Sequence, residues 1–199
     1  MHPTSAPPIR SSRPRLGFLL GAGLVSAIAA CGGGDGDSPG TTPPPDQAAL
    51  RTACPALAGT KVESRLLGLP SGDATLTSAQ LMAAGSAAGL PEYCQVQGAI
   101  AARSAGADPI RFQINLPLSW NEKALMAGGG GFNGSLVTGL DPLRDAPAGQ
   151  PLPLAQGYAT FGTDSGHDAA AYVATDPARF ALNDEMFANF AHESYKKVK

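Results

Sequence analysis

The stretch "MAGGGGFNGSL", residues 126–136, sets four glycines in a row and a fifth three residues further on, directly after a short apolar run. Glycine costs conformational entropy on folding. A run of it therefore marks either a flexible linker or a place where main-chain N–H groups must come close to something. A second concentration of chemistry is "TDSGH", where Asp164, Ser165 and His167 bring a carboxylate, a hydroxyl and an imidazole together. Those are the groups of nucleophilic catalysis, but neighbours in a tight turn cannot line up as nucleophile, base and orienter. The roles expected of them are structural: His167 hydrogen-bonds to fix the loop and Asp164 caps turn amides. No GxSxG-like elbow occurs, and Ser135 in "NGSL" lacks a strand-turn-helix setting. His192 reads as a surface residue, and His2 belongs to the N-terminal leader.

Three uses of bare backbone compete. A linker joins domains, whereas apolar strand-like segments flank this loop on both sides. A nucleotide loop fits the pattern alone, because Gly129, Gly131 and Gly134 spell GxGxxG. That motif needs a following helix and an acid about 20 residues on. Here the chain breaks into "TGLDPLRDAPAG", Leu154 stands near the acid's place, and no GK[ST] occurs. The third use is an oxyanion hole, in which a backbone N–H meets the developing negative oxygen of a tetrahedral intermediate and a side chain would crowd the substrate. One such donor is worth about 3 kcal/mol of transition-state stabilisation, enough to offset the cost of the glycines.

These groups need elements to hold them. In "PIRFQINLPL" the residues Ile110, Phe112, Ile114, Leu116 and Leu118 alternate in strict period two, which predicts a strand with one buried face, weakened at its end by Pro117. "YCQVQGAIA" predicts a second strand and "RSAGAD" the turn between them, giving an antiparallel pair. "WNEKALMA" leads into a short apolar strand at 124–127, and "GYATFGTD" is the next buried strand. "GLDPLRDAPAGQPLPLAQ" and "SGHDAAAYVATDPARFAL" read as loops. Within 50–69 only "KVESRLL" is strand-like, and "TSAQLMAAG", capped by Thr77 or Ser78, predicts a short helix or turn ending at Gly85 or Gly89.

The last element reads as a helix capped by Asn183, with Leu182 stapled to Phe187 and Met186, Phe187, Phe190, Ala191 and Val198 on one face. Lys196, Lys197 and Lys199 suit its last turn. No Gly, Asn or Pro stops it, so the sequence is expected to be part of something longer. Strands, loops at strand ends and a helix predict the opening half of an α/β sheet.

Composition sets the bounds. The 14 basic and 16 acidic residues give a net charge of −2, which offers no reason to expect nucleic acid. Arg10, Arg13 and Arg15 precede "LGFLLGAGLVSAIAA", a stretch of export-signal length that ends in "IAAC" at Cys31. That ending looks like a bacterial lipobox, predicting a leader over 1–30 and a lipidated Cys31; a membrane span wants about 20 apolar residues. The Gly/Pro-rich residues 31–47 read as a tether, and 48–199 as the folded domain. Membrane contact is thus expected only through a lipid anchor. In an exported chain the remaining pair, Cys54 and Cys94, favours a disulfide over a metal site, and no CxxC or His spacing argues for zinc.

The blocks "PEYCQVQGAIA", "LPLSWNEKALMAGGGGFNGSL", "LAQGYATFGTDSGHD" and "ARFALNDEMFANFAHES" occur in order with sensible spacing. Together they resemble the N-terminal part of the tannase and feruloyl esterase family, which includes mono(hydroxyethyl) terephthalate hydrolase. The resemblance implies an α/β-hydrolase core, a lid inserted later in the chain, no cofactor beyond a possible calcium in that lid, and serine hydrolysis of small aromatic-acid esters. It implies that Gly131 gives an oxyanion-hole amide, with Gly130 beside it at the substrate. It pairs Cys54 in "TACPAL" with Cys94, and puts Asp164 and His167 near the active site. The family's GCSxGG elbow would follow the last helix, with the acid and histidine further on. A lipid-anchored module that binds a small acid or sugar without chemistry is the other reading.

Overall fold

The computed structural model describes residues 46–86, 89–172, 176 and 178–199. The expected leader, Cys31 and the tether up to residue 45 lie outside them. Six strands form one mixed sheet in the order β1 (Lys61–Val62), β2 (Ala74–Met82), β3 (Tyr93–Ile100), β4 (Ile110–Pro117), β6 (Ala159–Thr163), β5 (Ala124–Met126). β1 to β4 pair antiparallel in succession and β4 pairs antiparallel with β6, whereas β5 and β6 run parallel. With its helices this is an α/β architecture. A parallel neighbour requires a crossover, and residues 127–158, which include the glycines, supply it.

The alternation in β3 and β4 sets Cys94, Val96, Gly98 and Ile100 opposite Leu116, Ile114, Phe112 and Ile110. The Phe112 ring lies over Gly98, where a Cβ would overlap it. Helix α1 (Gln47–Ala56), capped by Asp46, packs Cys54 against Cys94, Val96 and Ala79, and a disulfide joins Cys54 to Cys94 with Cα atoms 5.7 Å apart. At the other end of the same face Val198 packs on Ile100, Ile110 and Phe112.

β4 was expected to bury one face and buries both. Gln113 and Asn115 are 2% and 0% exposed, while Leu116 is 38% exposed. The polar face is tolerated because its groups satisfy one another. Ser78 Oγ donates to Gln97 Oε1 (3.4 Å), Gln97 Nε2 to Gln113 Oε1 (3.1 Å) and Gln113 Nε2 to Asn115 Oδ1 (2.9 Å). Asn115 Nδ2 ends the series on Thr160 Oγ1 (3.0 Å) and on the Thr138 carbonyl (2.7 Å), in the crossover beyond the glycines.

Several local expectations are corrected. The helix or turn expected from Thr77 or Ser78 is strand β2, with a bulge between Leu76 and Ser78; pairing of Ser78 to Met82 with β3 overrides the helical propensity of Ala, Gln, Leu and Met. "KVESRLL" is a strand only at Lys61–Val62 and then a 3-10 turn, Ser64–Leu66. Residues 47–56, read as tether end and unassigned chain, are α1. β5 is an edge strand rather than a buried one. The stretches read as loops contain 3-10 turns at Pro153–Gln156 and Arg179–Leu182 and a short helix α2, Ala169–Tyr172.

The last helix is not uniform. Asn183 Oδ1 accepts from the Glu185 and Met186 amides, starting α3 (Asp184–Ala188). A π turn, Asn189–Glu193, then leads into α4 (Ser194–Val198). The wider turn changes the phase of the buried face, so Met186, Asn189, Ser194 and Lys197 point inward. Leu182 and Phe187 are 82% and 52% exposed and form no buried staple. Lys197, expected in water, donates to Asn189 Oδ1 (2.7 Å) and pairs with Glu193 (3.1 Å). The helix start is pinned by Glu185, whose carboxylate accepts from the Arg103 amide (3.0 Å) and the Ser104 amide (2.6 Å) in the β3–β4 turn.

Two tests follow from these anchors. Replacing Cys54 and Cys94 by Ser removes a closed loop with sequence separation 40 and is expected to lower stability by about 4 kcal/mol in urea denaturation; an unmoved midpoint would show that the bond constrains nothing. Burial opposes the charge on Glu185, but the Ser104 hydroxyl, the Arg103 and Ser104 amides and the Lys197 charge together hold its carboxyl below the usual range. Its contribution is therefore present above the ordinary glutamate pKa and lost as pH falls through the lowered value. Glu185→Gln should cost about 1 kcal/mol at pH 7, and the gap from the wild type should close in acid; a gap that widens in acid would contradict the assignment.

Candidate functional site

β5 and β6 are parallel, so both end at the same edge of the sheet. β5 runs into the glycines and β6 into "TDSGH". In open α/β sheets ligands bind beyond the carboxyl ends of such strands. The Ala127 amide donates to the Phe161 carbonyl (2.8 Å), carrying the ladder to the last residue before Gly128.

The glycines then form a turn. Asn133 N donates to Gly130 O (2.9 Å), and Gly131, with φ +58°, occupies the first central position as in a type II′ turn. Glycine is required at 131 by the backbone itself; a Cβ there would meet nothing within 4 Å. Gly128 to Gly131 are exposed. Among the described hydrogen bonds, the amides of Gly131 and Phe132 donate to no protein acceptor. Gly129 and Gly134 have other reasons. A Cβ at Gly129 would overlap the Asn133 carboxamide, and one at Gly134 (φ +81°) would lie 2.7 Å from Ala169 N and 2.8 Å from His167 Nε2.

The second turn is built around Asp164. Its Oδ1 accepts from the Gly166 amide (2.9 Å) and the Arg111 amide (3.1 Å), and its Oδ2 accepts from Arg111 Nε (2.6 Å). Burial pushes the Asp164 carboxyl above its ordinary range, against the pull of the Arg111 guanidinium and the two amides. Arg111, half-exposed, is raised by its hydrogen bond to Asp164. Its other arm reaches Asp168 (3.1 Å). A Cβ at Gly166 (φ +77°) would lie 2.8 Å from Asn189 Cβ, so the π turn of the last helix seats directly on this turn.

Ser165 forms no local triad, as expected, whereas His167 departs from its expected part. Ser165, 1% exposed with φ +63°, accepts a 2.7 Å hydrogen bond from Asn133 Nδ2 and lies 3.4 Å from the Tyr195 hydroxyl. It makes no described bond to His167, so no local triad forms. His167 was expected to hydrogen-bond and does not: it is 1% exposed and neither ring nitrogen has a partner among the described residues. Aromatic neighbours surround it instead, with Phe180 stacked at 4.3 Å and Phe190 edge-on at 5.9 Å. Phe132 continues that group onto the surface.

The structure thus brings Gly130, Gly131, Asp164 and His167 onto two adjoining turns, while Cys54 and Cys94 tie α1 to β3. No helix follows Gly134 before Pro153–Gln156, which removes the support a dinucleotide loop needs. Cavities of about 570 Å3 (around Arg65, Pro70 and Arg103) and about 270 Å3 (around Leu66, Ile114 and Lys196) lie away from these turns, and Gly131 itself is exposed. Reading the sequence missed Asn133, Asn115, Arg111 and Tyr195. Asn before Gly in "FNG" was the available signal for a left-handed turn residue, and the Gln/Asn alternation in "RFQIN" for a polar buried face.

A family model described as tannase and feruloyl esterase matches residues 94–199, more than half of the sequence. The chain belongs to the tannase and feruloyl esterase family. An uncharacterized esterase of Agrobacterium fabrum is 40% identical over 146 residues, which is 73% of this chain and 26% of the relative. A mono(2-hydroxyethyl) terephthalate hydrolase of Piscinibacter sakaiensis is 36% identical over 123 residues, 58% of this chain and 20% of the relative. This tannase-family chain therefore spans about a quarter of the length of those relatives or less. An esterase structure from Aspergillus oryzae aligns with 69% of this chain and 22% of its own, with TM-score 0.37 and 20% identity.

Removing the Asp164 carboxylate would strand the Gly166 and Arg111 amides and take its partner from Arg111 Nε, leaving the guanidinium with Asp168 alone. Asp164→Ala is expected to lower stability by about 3 kcal/mol in chemical denaturation; wild-type stability in that variant would show that the turn is held by other means.

Proposed function

We propose that this chain is part of a carboxylic ester hydrolase of the α/β-hydrolase type that cleaves aromatic-acid esters through a serine acyl-enzyme. One observation carries the reading: in a tannase-family chain, the Gly131 amide sits unbonded in a fixed turn at the carboxyl end of a parallel strand pair, with open space beside it. Acyl transfer needs such a donor. When a serine Oγ attacks the ester carbonyl and a histidine takes its proton, negative charge collects on the carbonyl oxygen, and a preset N–H meets it without reorganising. Collapse expels the alcohol, and water then hydrolyses the acyl-enzyme.

In this proposal Gly131 gives one oxyanion hydrogen bond and Gly130 lines the substrate side. Asp164 and His167 support the loop and exchange no protons with substrate. The nucleophile, base and acid belong to the part of the longer relatives that this chain does not span. Aromatic acids are assigned as the acyl class because one relative is a terephthalate monoester hydrolase by name. The chemistry uses no cofactor, and any calcium would belong to a lid outside these residues. Export with lipidation at Cys31 is part of the same proposal, and labelling cells with a fatty-acid analogue tests it.

The decisive assay compares the 199 residues with a gene product that extends through a Gly-Cys-Ser elbow, using methyl ferulate, methyl gallate and a p-nitrophenyl ester. The longer protein is expected to turn over and to lose activity to a fluorophosphonate, while the 199 residues stay at buffer level. Serine-dependent hydrolysis by the 199 residues alone would refute the assignment of the missing groups, and a longer protein that binds aromatic acids without hydrolysing any ester would favour a binding module.

A further inference from the structure

A run of glycines cannot fix its own geometry, because it has no side chains to pack or bond. The structure supplies that geometry from two other segments. Asn133 closes the Gly130–Asn133 turn with its amide and wedges its carboxamide beneath Gly129. The same carboxamide donates to Ser165 Oγ (2.7 Å) and to Thr163 O (3.4 Å). Ser165 Oγ lies 3.4 Å from the Tyr195 hydroxyl, and that hydroxyl is 3.9 Å from the position of a Cβ on Gly128. Three side chains, from the glycine loop, the β6 turn and α4, thus meet under the loop.

The backbone marks this junction as one of strain. Asn133 (φ +53°) and Ser165 (φ +63°) are both left-handed, a conformation asparagine tolerates and serine does not favour. Glycine at 165 would fit without strain, so the hydroxyl is what the strained serine contributes. Ser165 is fully buried and its amide is already satisfied by Thr163 Oγ1 (3.0 Å), which leaves Oγ to act on Asn133 and Tyr195.

We infer that Asn133, Ser165 and Tyr195 form a hydrogen-bonded latch that presets the glycine turn, making them positioning residues for the Gly131 N–H. This rests on the reading of Gly131 as an oxyanion donor. None of the three touches substrate. Their effect falls on the transition state, because a displaced donor weakens the bond to the oxyanion while leaving ester binding in place.

The test uses the full-length protein and two readouts. In Ser165→Gly the strain goes and so does the hydroxyl, so thermal stability should hold or rise while kcat falls about 10- to 100-fold with KM within about twofold. Asn133→Gly keeps a left-handed-tolerant residue but loses the whole carboxamide and should match it; an aspartate there would not serve, because the Ser165 hydroxyl could donate to its carboxylate. Tyr195→Phe should lose about threefold. The double variant Asn133→Gly/Ser165→Gly should lose no more than the worse single one, since both break the same link. Hydrogen exchange in the peptide spanning 126–136 should accelerate in each variant while the β3 and β4 amides keep their protection. If Ser165→Gly fails to fold, Asn133→Gly and Tyr195→Phe carry the test. Wild-type kcat and unchanged loop exchange in Asn133→Gly would overturn the latch. A wild-type protein without ester hydrolysis would instead sink the oxyanion reading, and exchange would still decide the latch.

Discussion

On the proposed reading the site turns on one side-chain hydrogen bond between two adjoining turns, from Asn133 to Ser165, which works beside the backbone bond from Ala169 N to Gly134 O. The glycine loop and the "TDSGH" turn leave the sheet from neighbouring parallel strands, and each lacks regular structure of its own. Without a link between them, exposed glycines would sample many conformations, and a donor that samples many positions has no fixed geometry to offer an oxyanion. The 2.7 Å bond joins the turns at the point where both backbones are left-handed, so the strain and the constraint are in the same place.

Behind that bond stands a polar layer on the face of the sheet away from α1. The series from Ser78 through Gln97, Gln113 and Asn115 crosses β2, β3 and β4 and ends on Thr160 in β6 and on the Thr138 carbonyl. It fixes the far end of the loop as Asn133 fixes the near end. The last helix completes the support. Its π turn seats Asn189 on Gly166, and α4 sets Tyr195 on Ser165. Buried polar groups of this kind cost stability if any partner is missing and specify one arrangement if all are present.

What was legible in the sequence follows from the range of the interactions. The β4 and β6 strands, the Asn183 cap and the α/β class are written in local pattern, and the structure has them, though β4 buries both faces rather than one. β2 was misread because "TSAQLMAAG" has local helix signals, while its pairing partners lie in β3. On the last helix Met186 and Val198 pack inward as expected, but Asn189, Ser194 and Lys197 were missed as inward residues because a π turn shifts the phase, and no residue type announces one. Gly131 was singled out for the room it leaves a substrate, and the fold adds a requirement that the sequence did not announce, its positive φ. Ser165 was weighed only as a nucleophile, and its place beneath the glycines depends on Asn133, a contact between segments that only the fold brings together.

The central claim is that the Gly131 N–H, held in its turn, receives the oxyanion. The most direct measurement is a crystal structure of the full-length protein reacted with an aryl phosphonate, which leaves a tetrahedral adduct on the nucleophile. The account predicts a phosphonyl oxygen about 2.7–3.1 Å from Gly131 N, with the Gly130–Asn133 turn unchanged. An adduct whose oxygen is held by other amides, with Gly131 N facing solvent or bonded within the protein, would contradict it.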